Sequence, residues 1–209
     1  MARLLLYPWC GRRRDVYRMG REMSKQLKVV AVSGSVQQPS RTLVLLKTLV
    51  ARLGQQVPID VQVIELSQVG AQLGGTLHRH ALPAAVEQSL RAIETADLLI
   101  AATPVYRASY TGLFKHLFDF VHHDALKDVP VLLAATGGSE RHALVIDHQL
   151  RPLFGFFQAL SLPVGVYASE SDFTDYRISS AQVLERIERA VESALQSLFP
   201  DPRRNASAA

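Results

Sequence analysis

The segment Lys28–Leu53 has the sequence KVVAVSGSVQQPSRTLVLLKTLVARL, and its pattern decides the fold. Its first part, Lys28–Ser33, is a short run rich in β-branched residues, which predicts a strand. Its last part, Arg41–Leu53, is apolar on most sides and is interrupted mainly by Lys47 and Arg52, which predicts a helix. A ten-residue loop at positions 33–42 therefore joins a strand directly to a helix.

Strand-like and helix-like segments continue to alternate after this unit. The predicted strands are Val61–Leu66, Leu98–Thr103, Val129–Thr136 and Val164–Ala168, and the predicted helices are Ala84–Ala96, Gly112–Val121, Arg141–Leu160 and Ser179–Leu198. Strands separated by helices pair in parallel through right-handed crossovers, and helices then cover both faces of the sheet. The sequence predicts an α/β, flavodoxin-like three-layer sandwich with a five-stranded parallel sheet in the order 2-1-3-4-5.

A single folded domain is predicted for residues 26–199. The chain has 209 residues, of which 48% are hydrophobic and 20% are charged, as is ordinary for one globular unit. Residues 1–25 show neither helical nor strand periodicity and are expected to be a disordered or extended N-terminal extension. Met23 is expected to be the natural start. Residues 200–209 are expected to be a disordered tail.

Several classes of protein are disfavoured. The longest apolar stretches fall far short of the roughly 18 residues of a membrane span, and no secretory signal is evident, so a cytoplasmic location is expected. The net charge of +4 comes largely from basic residues near the two ends of the chain, and no nucleic-acid-recognition motif accompanies them. No nucleic acid is therefore expected as a partner. His78-Arg79-His80 and His122-His123-Asp124 lack helical i, i+4 spacing and a cysteine partner, so no metal is expected.

Ligands of an open parallel sheet bind beyond the carboxyl ends of its strands, where the strand order reverses. The loop after the first strand contains Gly34, hydroxyl groups at Ser35, Ser40 and Thr42, and a helix start with free N–H groups, which indicates a phosphate site. It lacks the G-x-G-x-x-G and Gly-Lys-Ser/Thr motifs, so a terminal monophosphate is favoured. The alternative is that Ser40 merely caps a helix.

Two further loops lie at the same predicted edge. Thr103–Gly112 contains Pro104, which removes a donor, and Tyr106 and Tyr110, whose flat faces could lie beside a planar ring. Thr136-Gly137-Gly138 follows the fourth strand and would allow a ligand to approach the main chain closely.

Together these three loops resemble those of the NAD(P)H-dependent FMN reductases of flavodoxin-like fold, in particular the flavin reductases of alkanesulfonate and methanesulfonate two-component monooxygenases. The matching motifs are Ser33-Gly34-Ser35 with Pro39–Thr42, Ala102–Tyr106 with Tyr110–Gly112, and Ala135–Gly138. The resemblance covers approximately Lys28–Leu198. It implies FMN and NADH or NADPH as cofactors and an FMNH2-dependent sulfonate monooxygenase as partner.

The resemblance also implies which residues bind the flavin. Those around its phosphate would be Ser35, Gln38, Ser40, Arg41 and Thr42. Those along the isoalloxazine would be Pro104, Val105, Tyr106 and Arg107, mainly through the main chain, with Thr136, Gly137 and Gly138 at its border. No acid–base pair is expected, because hydride transfer belongs to the two cofactors; Arg107 would help to stabilise the charge of the reduced flavin.

Alkanesulfonate-type relatives carry an inserted tyrosine that forms a π-bulge at a tetramer interface. The matching stretch is Val145–Pro152, where this chain has His148, as in the methanesulfonate type. A homo-oligomer, tetramer or dimer, with His148 at an interface is therefore implied. An ordinary exposed helix residue is the alternative for His148.

Two other functions are compatible with the same fold. A quinone, azo-dye or chromate reductase would hold its FMN tightly. A flavodoxin-type electron carrier would lack nicotinamide activity, and such carriers tend to be acidic whereas this chain has a net positive charge.

Overall fold

The central element of the computed structural model, which describes residues 26–200, is a parallel sheet. Its strands are β1 (Leu27–Ser33), β2 (Ile59–Glu65), β3 (Leu98–Pro104), β4 (Pro130–Gly137), β5 (Leu160–Ser161) and β6 (Val166–Ser169). β5 and β6 are short segments that both pair in parallel with β4, so together they fill the fifth position. The order β2-β1-β3-β4-β5 confirms the predicted flavodoxin-like α/β fold. The predicted N-terminal extension and residues 201–209 of the predicted tail lie outside the described residues.

Helices cover both faces of the sheet. They are α1 (Arg41–Gly54), α2 (Leu66–Gly74), α3 (Ala84–Glu94), α4 (Gly112–Asp119), α5 (Arg151–Phe156) and α6 (Ala181–Leu198). In β1, Val29 and Ala31 pack in a core with α1 and α6, whereas Val30 and Val32 pack in a second core with α2 to α5. This alternation explains why β1 is apolar along nearly its whole length. Within residues 26–200 we find no helix that combines the length and apolarity needed to cross a membrane.

The predicted long helix Arg141–Leu160 is wrong. The chain instead forms a 3₁₀ turn at Glu140–His142, a π-helix at Ile146–Leu150, and the short helix α5. Pro152 has no N–H to donate to the preceding turn, so regular α-helical hydrogen bonding is interrupted here, and Pro152 lies in the first turn of α5, where such a donor is not needed. The segment then turns at Gln158, whose φ is 53°, and enters the sheet as β5.

Three short elements were not expected from the sequence. They are α2, β5, and a hairpin formed by β7 (Phe173–Thr174) and β8 (Arg177–Ile178). α2 contains Gly70 and Gly74, which allow Leu113 of α4 to approach its backbone but weaken the helical signal. The two-residue strands are too short for any periodicity to show.

Arg79, in the connection between α2 and α3, joins these helices to the end of α4. Its guanidinium donates to Glu87 at 3.1 Å, to Glu94 at 2.9 Å and to the Phe120 carbonyl at 3.0 Å. Hydrogen bonds from Arg79 and then from Arg91 lower the pKa of Glu87. Burial opposes the ionisation of Glu94, but hydrogen bonds from Arg79 and the His122 N–H outweigh it, so the pKa of Glu94 is also lowered.

Replacement of Arg79 by Ala is expected to reduce the free energy of unfolding at pH 7 by about 1–2 kcal/mol, because two carboxylates lose a shared charged donor. Since the two pKa values lie below the ordinary value of 4.5, the stabilisation is present above that pH and is lost as pH falls through the folded values. Urea unfolding of wild type and Arg79→Ala at pH 7 and near pH 4 measures the difference in their free energies of unfolding. Arg189→Ala is the matched control, because Arg189 is exposed on α6 and lies outside this network. A difference between wild type and Arg79→Ala that does not shrink at low pH would contradict this account.

Candidate active site

Gly34 connects the loop after β1 to the loop between β3 and α4. Its N–H donates to the Ala102 carbonyl at 2.7 Å, and its carbonyl accepts from the Thr111 hydroxyl at 3.0 Å. A side chain here would have no room, since an added Cβ would lie 2.8 Å from Phe114 Cδ2 and 2.9 Å from Thr103 Oγ1. Thr111 also caps α4 by accepting from the Phe114 N–H at 3.2 Å. The glycine is therefore required by close packing between the two loops.

Thr136 joins both of these loops to the end of β4. Its hydroxyl lies 2.6 Å from that of Thr42, and its carbonyl accepts from the Val105 N–H at 2.7 Å. Both threonine side chains are buried. The three loops predicted to form the site are thus linked at one edge of the sheet by hydrogen bonds.

The loop between β1 and α1 leaves main-chain donors free. Ser40 caps α1 by accepting from the Leu43 N–H at 3.2 Å. The N–H groups of Val36, Arg41 and Thr42 have no acceptor anywhere in residues 26–200. Free N–H groups at a helix start, together with the helix dipole, attract an anion.

The polar side chains of this loop are only partly available. Ser35 is buried and forms hydrogen bonds with the main chain of Gln37. The amide of Gln38 donates to Glu65 at 3.3 Å and to Ser67 at 3.0 Å, at the end of β2. The structure therefore brings these two predicted residues to the loop and gives each a protein partner.

Arg41 has partners that the sequence did not suggest. Its Nη2 donates to Glu170 Oε1 at 2.6 Å, and its guanidinium carbon lies 5.3 Å from the centre of the Tyr176 ring. Glu170 follows β6, and Tyr176 lies at the tip of the β7–β8 hairpin. The predicted phosphate ligand thus forms an ion pair across the edge of the sheet.

Residues Tyr106–Ser109 form a tight turn after β3. Tyr106 and Ser109 exchange main-chain hydrogen bonds at 2.8 and 3.1 Å. The two central residues, Arg107 and Ala108, have φ angles of 50° and 69°, a left-handed conformation that costs non-glycine residues on the order of 1 kcal/mol or more. Arg107 and Tyr106 are exposed, whereas Tyr110 is half-buried and packs on Phe114. Of the two predicted aromatic faces, only Tyr106 is open.

Gly137 and Gly138 differ in their surroundings. A Cβ added to Gly137 would collide with the Tyr167 hydroxyl, whereas one added to Gly138 would meet no atom within 4 Å. Burial, and then the charges of Glu140 and Asp172, raise the pKa of Tyr167 to about 12. Its hydroxyl therefore stays protonated and donates to the Ser139 carbonyl at 2.5 Å, which holds this loop in place.

The π-helix Ile146–Leu150 lies beside the Tyr106–Ser109 turn. Ser109 Oγ donates to Gln149 Oε1 at 3.0 Å. A π-helix carries about one more residue per turn than an α-helix, which shifts the direction of the side chains that follow it. His148, predicted to lie at an interface, is exposed in the middle of this π-helix.

The cluster of His122, His123 and Asp124 lies away from these loops. His122, His123 and Asp124 follow α4 and precede β4, so they are at the opposite edge of the sheet. One ligand atom from each lies within 4.8 Å of the others, but all three residues are exposed. Asp124 already contacts both histidines, through its N–H to His122 Nδ1 at 3.3 Å and its carboxylate to His123 Nε2 at 3.1 Å. That no metal binds stays a prediction.

The family model described as NADPH-dependent FMN reductase matches residues 27–174. This chain belongs to that family. It is an NAD(P)H:FMN oxidoreductase, and its cofactors are FMN and a nicotinamide dinucleotide.

Individual relatives agree with the family. An FMN reductase (NADPH) of Pseudomonas aeruginosa is 61% identical over 172 residues, covering 82% of this chain and 92% of that protein. The NADH-dependent FMN reductase SfnF of Pseudomonas fluorescens is 60% identical with the same coverage, and SfnE of Pseudomonas putida is 58% identical over 83% of this chain and 93% of its own length.

Among solved structures, an oxidoreductase of Corynebacterium diphtheriae has a TM-score of 0.73 at 33% identity, covering 85% of this chain and all of that one. The apo form of the NADH:FMN oxidoreductase EmoB has a TM-score of 0.72 at 29% identity, covering 87% and 98%.

Several residues that shape the site were missed from the sequence. Thr111 could have been found, since a threonine directly before a helical pattern is a frequent cap. Gln149 and Glu170 could not, because their partners Ser109 and Arg41 are 40 and 129 residues away along the chain.

Replacing Thr42 by Val is expected to lower the free energy of unfolding by about 1–2 kcal/mol, because the buried Thr136 hydroxyl loses its side-chain partner. The double variant Thr42→Val/Thr136→Val should be less destabilised than the sum of the two single variants. Urea titrations of the three variants test this. Thr48→Val in the same helix is the control, because the Thr48 hydroxyl only bonds its own helix at Val44. Simple additivity of the two single effects would show that the hydroxyl pair contributes no coupling.

Proposed function

We propose that this reductase takes FMN as a dissociable substrate, reduces it with NAD(P)H, and supplies the reduced FMN to a sulfonate monooxygenase. The observation that carries the proposal is the set of free main-chain N–H groups at the start of α1, at the same edge as the Tyr106–Ser109 turn. The motif resemblance and the similarity to SfnF and SfnE support the sulfonate system.

The phosphate of FMN would bind to the loop between β1 and α1. The N–H groups of Arg41 and Thr42 would donate to it, together with the hydroxyls of Ser35 and Ser40 and the side chains of Gln38 and Arg41. Because the Thr42 hydroxyl is paired with Thr136, Thr42 would contribute through its main chain. A dianionic group suits this set of donors.

The isoalloxazine would lie along residues Pro104, Val105, Tyr106 and Arg107, bordered by Thr136, Gly137 and Gly138. The N–H groups of Val105 and Tyr106 already donate to protein carbonyls, whereas no acceptor in residues 26–200 contacts that of Arg107. The N–H of Ala108 likewise has no acceptor in residues 26–200, so the turn offers a ring the main-chain donors of Arg107 and Ala108. Gly138 has space for a planar group beside it.

The two cofactors supply the hydride transfer themselves once their rings are stacked. The protein orients the rings, and the exposed Tyr106 would cover the open side. The Arg107 guanidinium would lie close enough to offset the negative charge that the flavin gains. The left-handed conformation of Arg107 and Ala108 supports this role, since strain of this kind is concentrated at functional sites.

A homo-oligomer, tetramer or dimer, forms part of the same proposal. Exposed Leu144, His148, Pro152 and Phe156 are spaced four residues apart through the π-helix and α5. The side chains of Leu144 and Phe156 are large and apolar, with 61% and 69% exposure. Such a face would be buried between copies of the chain, with His148 at its centre.

Steady-state NAD(P)H oxidation with and without added FMN tests the function directly. Turnover should depend on added FMN, and purified protein should lose its flavin on dialysis. Protein that stays yellow after dialysis and reduces a quinone without added FMN would support the alternative of a reductase with tightly held flavin. Addition of an FMNH2-dependent sulfonate monooxygenase to the assay should then yield product only when this chain is present.

The double variant Ser40→Ala/Arg41→Ala is expected to raise the apparent KM for FMN about tenfold or more, since two phosphate donors are lost. The KM for riboflavin, which lacks the phosphate, should change little. Ser180→Ala, which removes the corresponding cap of α6, is the control for a simple loss of helix stability. If FMN and riboflavin remain as well distinguished as in wild type, these two residues do not bind the phosphate.

Arg107→Ala is expected to lower kcat for FMN reduction about tenfold, because the charge of the reduced flavin loses its counterion. Stopped-flow absorbance of the flavin measures this step. Arg189→Ala is the matched control, since Arg189 is exposed on α6 and far along the chain from the site. An unchanged rate in Arg107→Ala would remove this role.

A further inference from the structure

Arg41, the first residue of α1, is the only cationic side chain within the described residues 33–42, and a carboxylate neutralises it. The Arg41 and Glu170 side chains are 38% and 60% exposed, with 2.6 Å between Nη2 and Oε1. The ion pair has no net charge, so it attracts a phosphate dianion less than a free guanidinium would. Because both groups are partly exposed, solvent screens this effect without removing it.

The position of Glu170 is set by the turn that carries it. Ser169 and Asp172 form a capping box, with the Ser169 N–H donating to Asp172 Oδ2 at 2.7 Å. The Asp172 carbonyl accepts in turn from the Ser179 N–H at 2.9 Å, at the end of the β7–β8 hairpin. The tip of this hairpin places the Tyr176 ring beside the Arg41 guanidinium. The turn that carries Glu170 is therefore fixed by its own hydrogen bonds, and the Glu170 carboxylate is held by the bond from Arg41.

We propose that Glu170 tunes the affinity for FMN by competing with the FMN phosphate for Arg41, so that the flavin can leave after reduction. This inference rests on the proposed phosphate site. Glu170 does not touch the reacting atoms; it acts through Arg41. A reductase that supplies a diffusing flavin needs such weakening, whereas one with a permanent flavin does not.

The test is the variant Glu170→Gln, which keeps the size of the side chain and removes its charge. Titration of protein into FMN and into riboflavin, followed by flavin fluorescence, gives the two Kd values. The Kd for FMN should fall about two- to fivefold, the range set by exposed ion pairs, and the Kd for riboflavin should not change. Glu170→Asp should keep the wild-type ratio of the two Kd values, and added salt should reduce the effect.

Glu188→Gln provides a matched control. Glu188 pairs with Arg52 at the other end of α1 at 3.1 Å, with comparable exposures of 48% and 39%. Its replacement removes the same charge at a distance from the proposed phosphate site. The ratio of the Kd values for FMN and riboflavin should stay at the wild-type value.

Whether Glu170 acts through Arg41 is tested by introducing Glu170→Gln into the Arg41→Ala variant. Glu170→Gln should have no further effect on the Kd for FMN in that background. Equal tightening with and without Arg41 would overturn the inference in favour of direct repulsion, and an unchanged or weaker affinity in Glu170→Gln alone would also overturn it. If wild type already fails to distinguish FMN from riboflavin, the proposed phosphate site itself is wrong.

Discussion

The hydrogen bonds that join Gly34 to Ala102 and Thr111 are the constraint on which the site depends. They bring the end of β1 into contact with the end of β3 and the start of α4, and the Thr42–Thr136 pair adds the end of β4. Buried polar groups that lack partners are costly, so these loops have few alternative arrangements. The three loops thereby form a rigid frame at this edge of the sheet.

This frame divides the donors of the loops into two groups. The hydroxyls of Thr42, Thr111 and Thr136 and the N–H of Val105 serve the protein itself. The N–H groups at the start of α1 remain free and already point in fixed directions, so an anion that binds them costs little reorganisation. Side chains that would add affinity, above all Arg41, are held by other protein groups. If the proposed phosphate site is correct, the same arrangement would recognise a flavin phosphate and also release it.

Irregular backbone is concentrated near the frame. The turns at Arg107-Ala108 and Asp175-Tyr176 both contain two consecutive non-glycine residues with positive φ. The π-helix Ile146–Leu150 brings Gln149 to Ser109 and leaves His148 exposed. A change in this helix, for instance on association of two chains, would therefore act directly on the Tyr106–Ser109 turn, where the proposal places the flavin ring.

Local patterns were sufficient to predict the sheet order, the family, and the meeting of three loops at one edge of the sheet. The apolar runs of β1, β3 and β4 and the glycines and hydroxyls that follow them are properties of neighbouring residues, and parallel strands place their carboxyl ends at one edge. The partner of Arg41, the π-helix in place of a long α-helix, and the β7–β8 hairpin were decided only by tertiary structure. Arg41 and Glu170 are 129 residues apart, and Thr42 and Thr136 are 94 apart. The hydrophobic periodicity of the sequence cannot predict such pairs, because they form only after the helices have packed on both faces of the sheet.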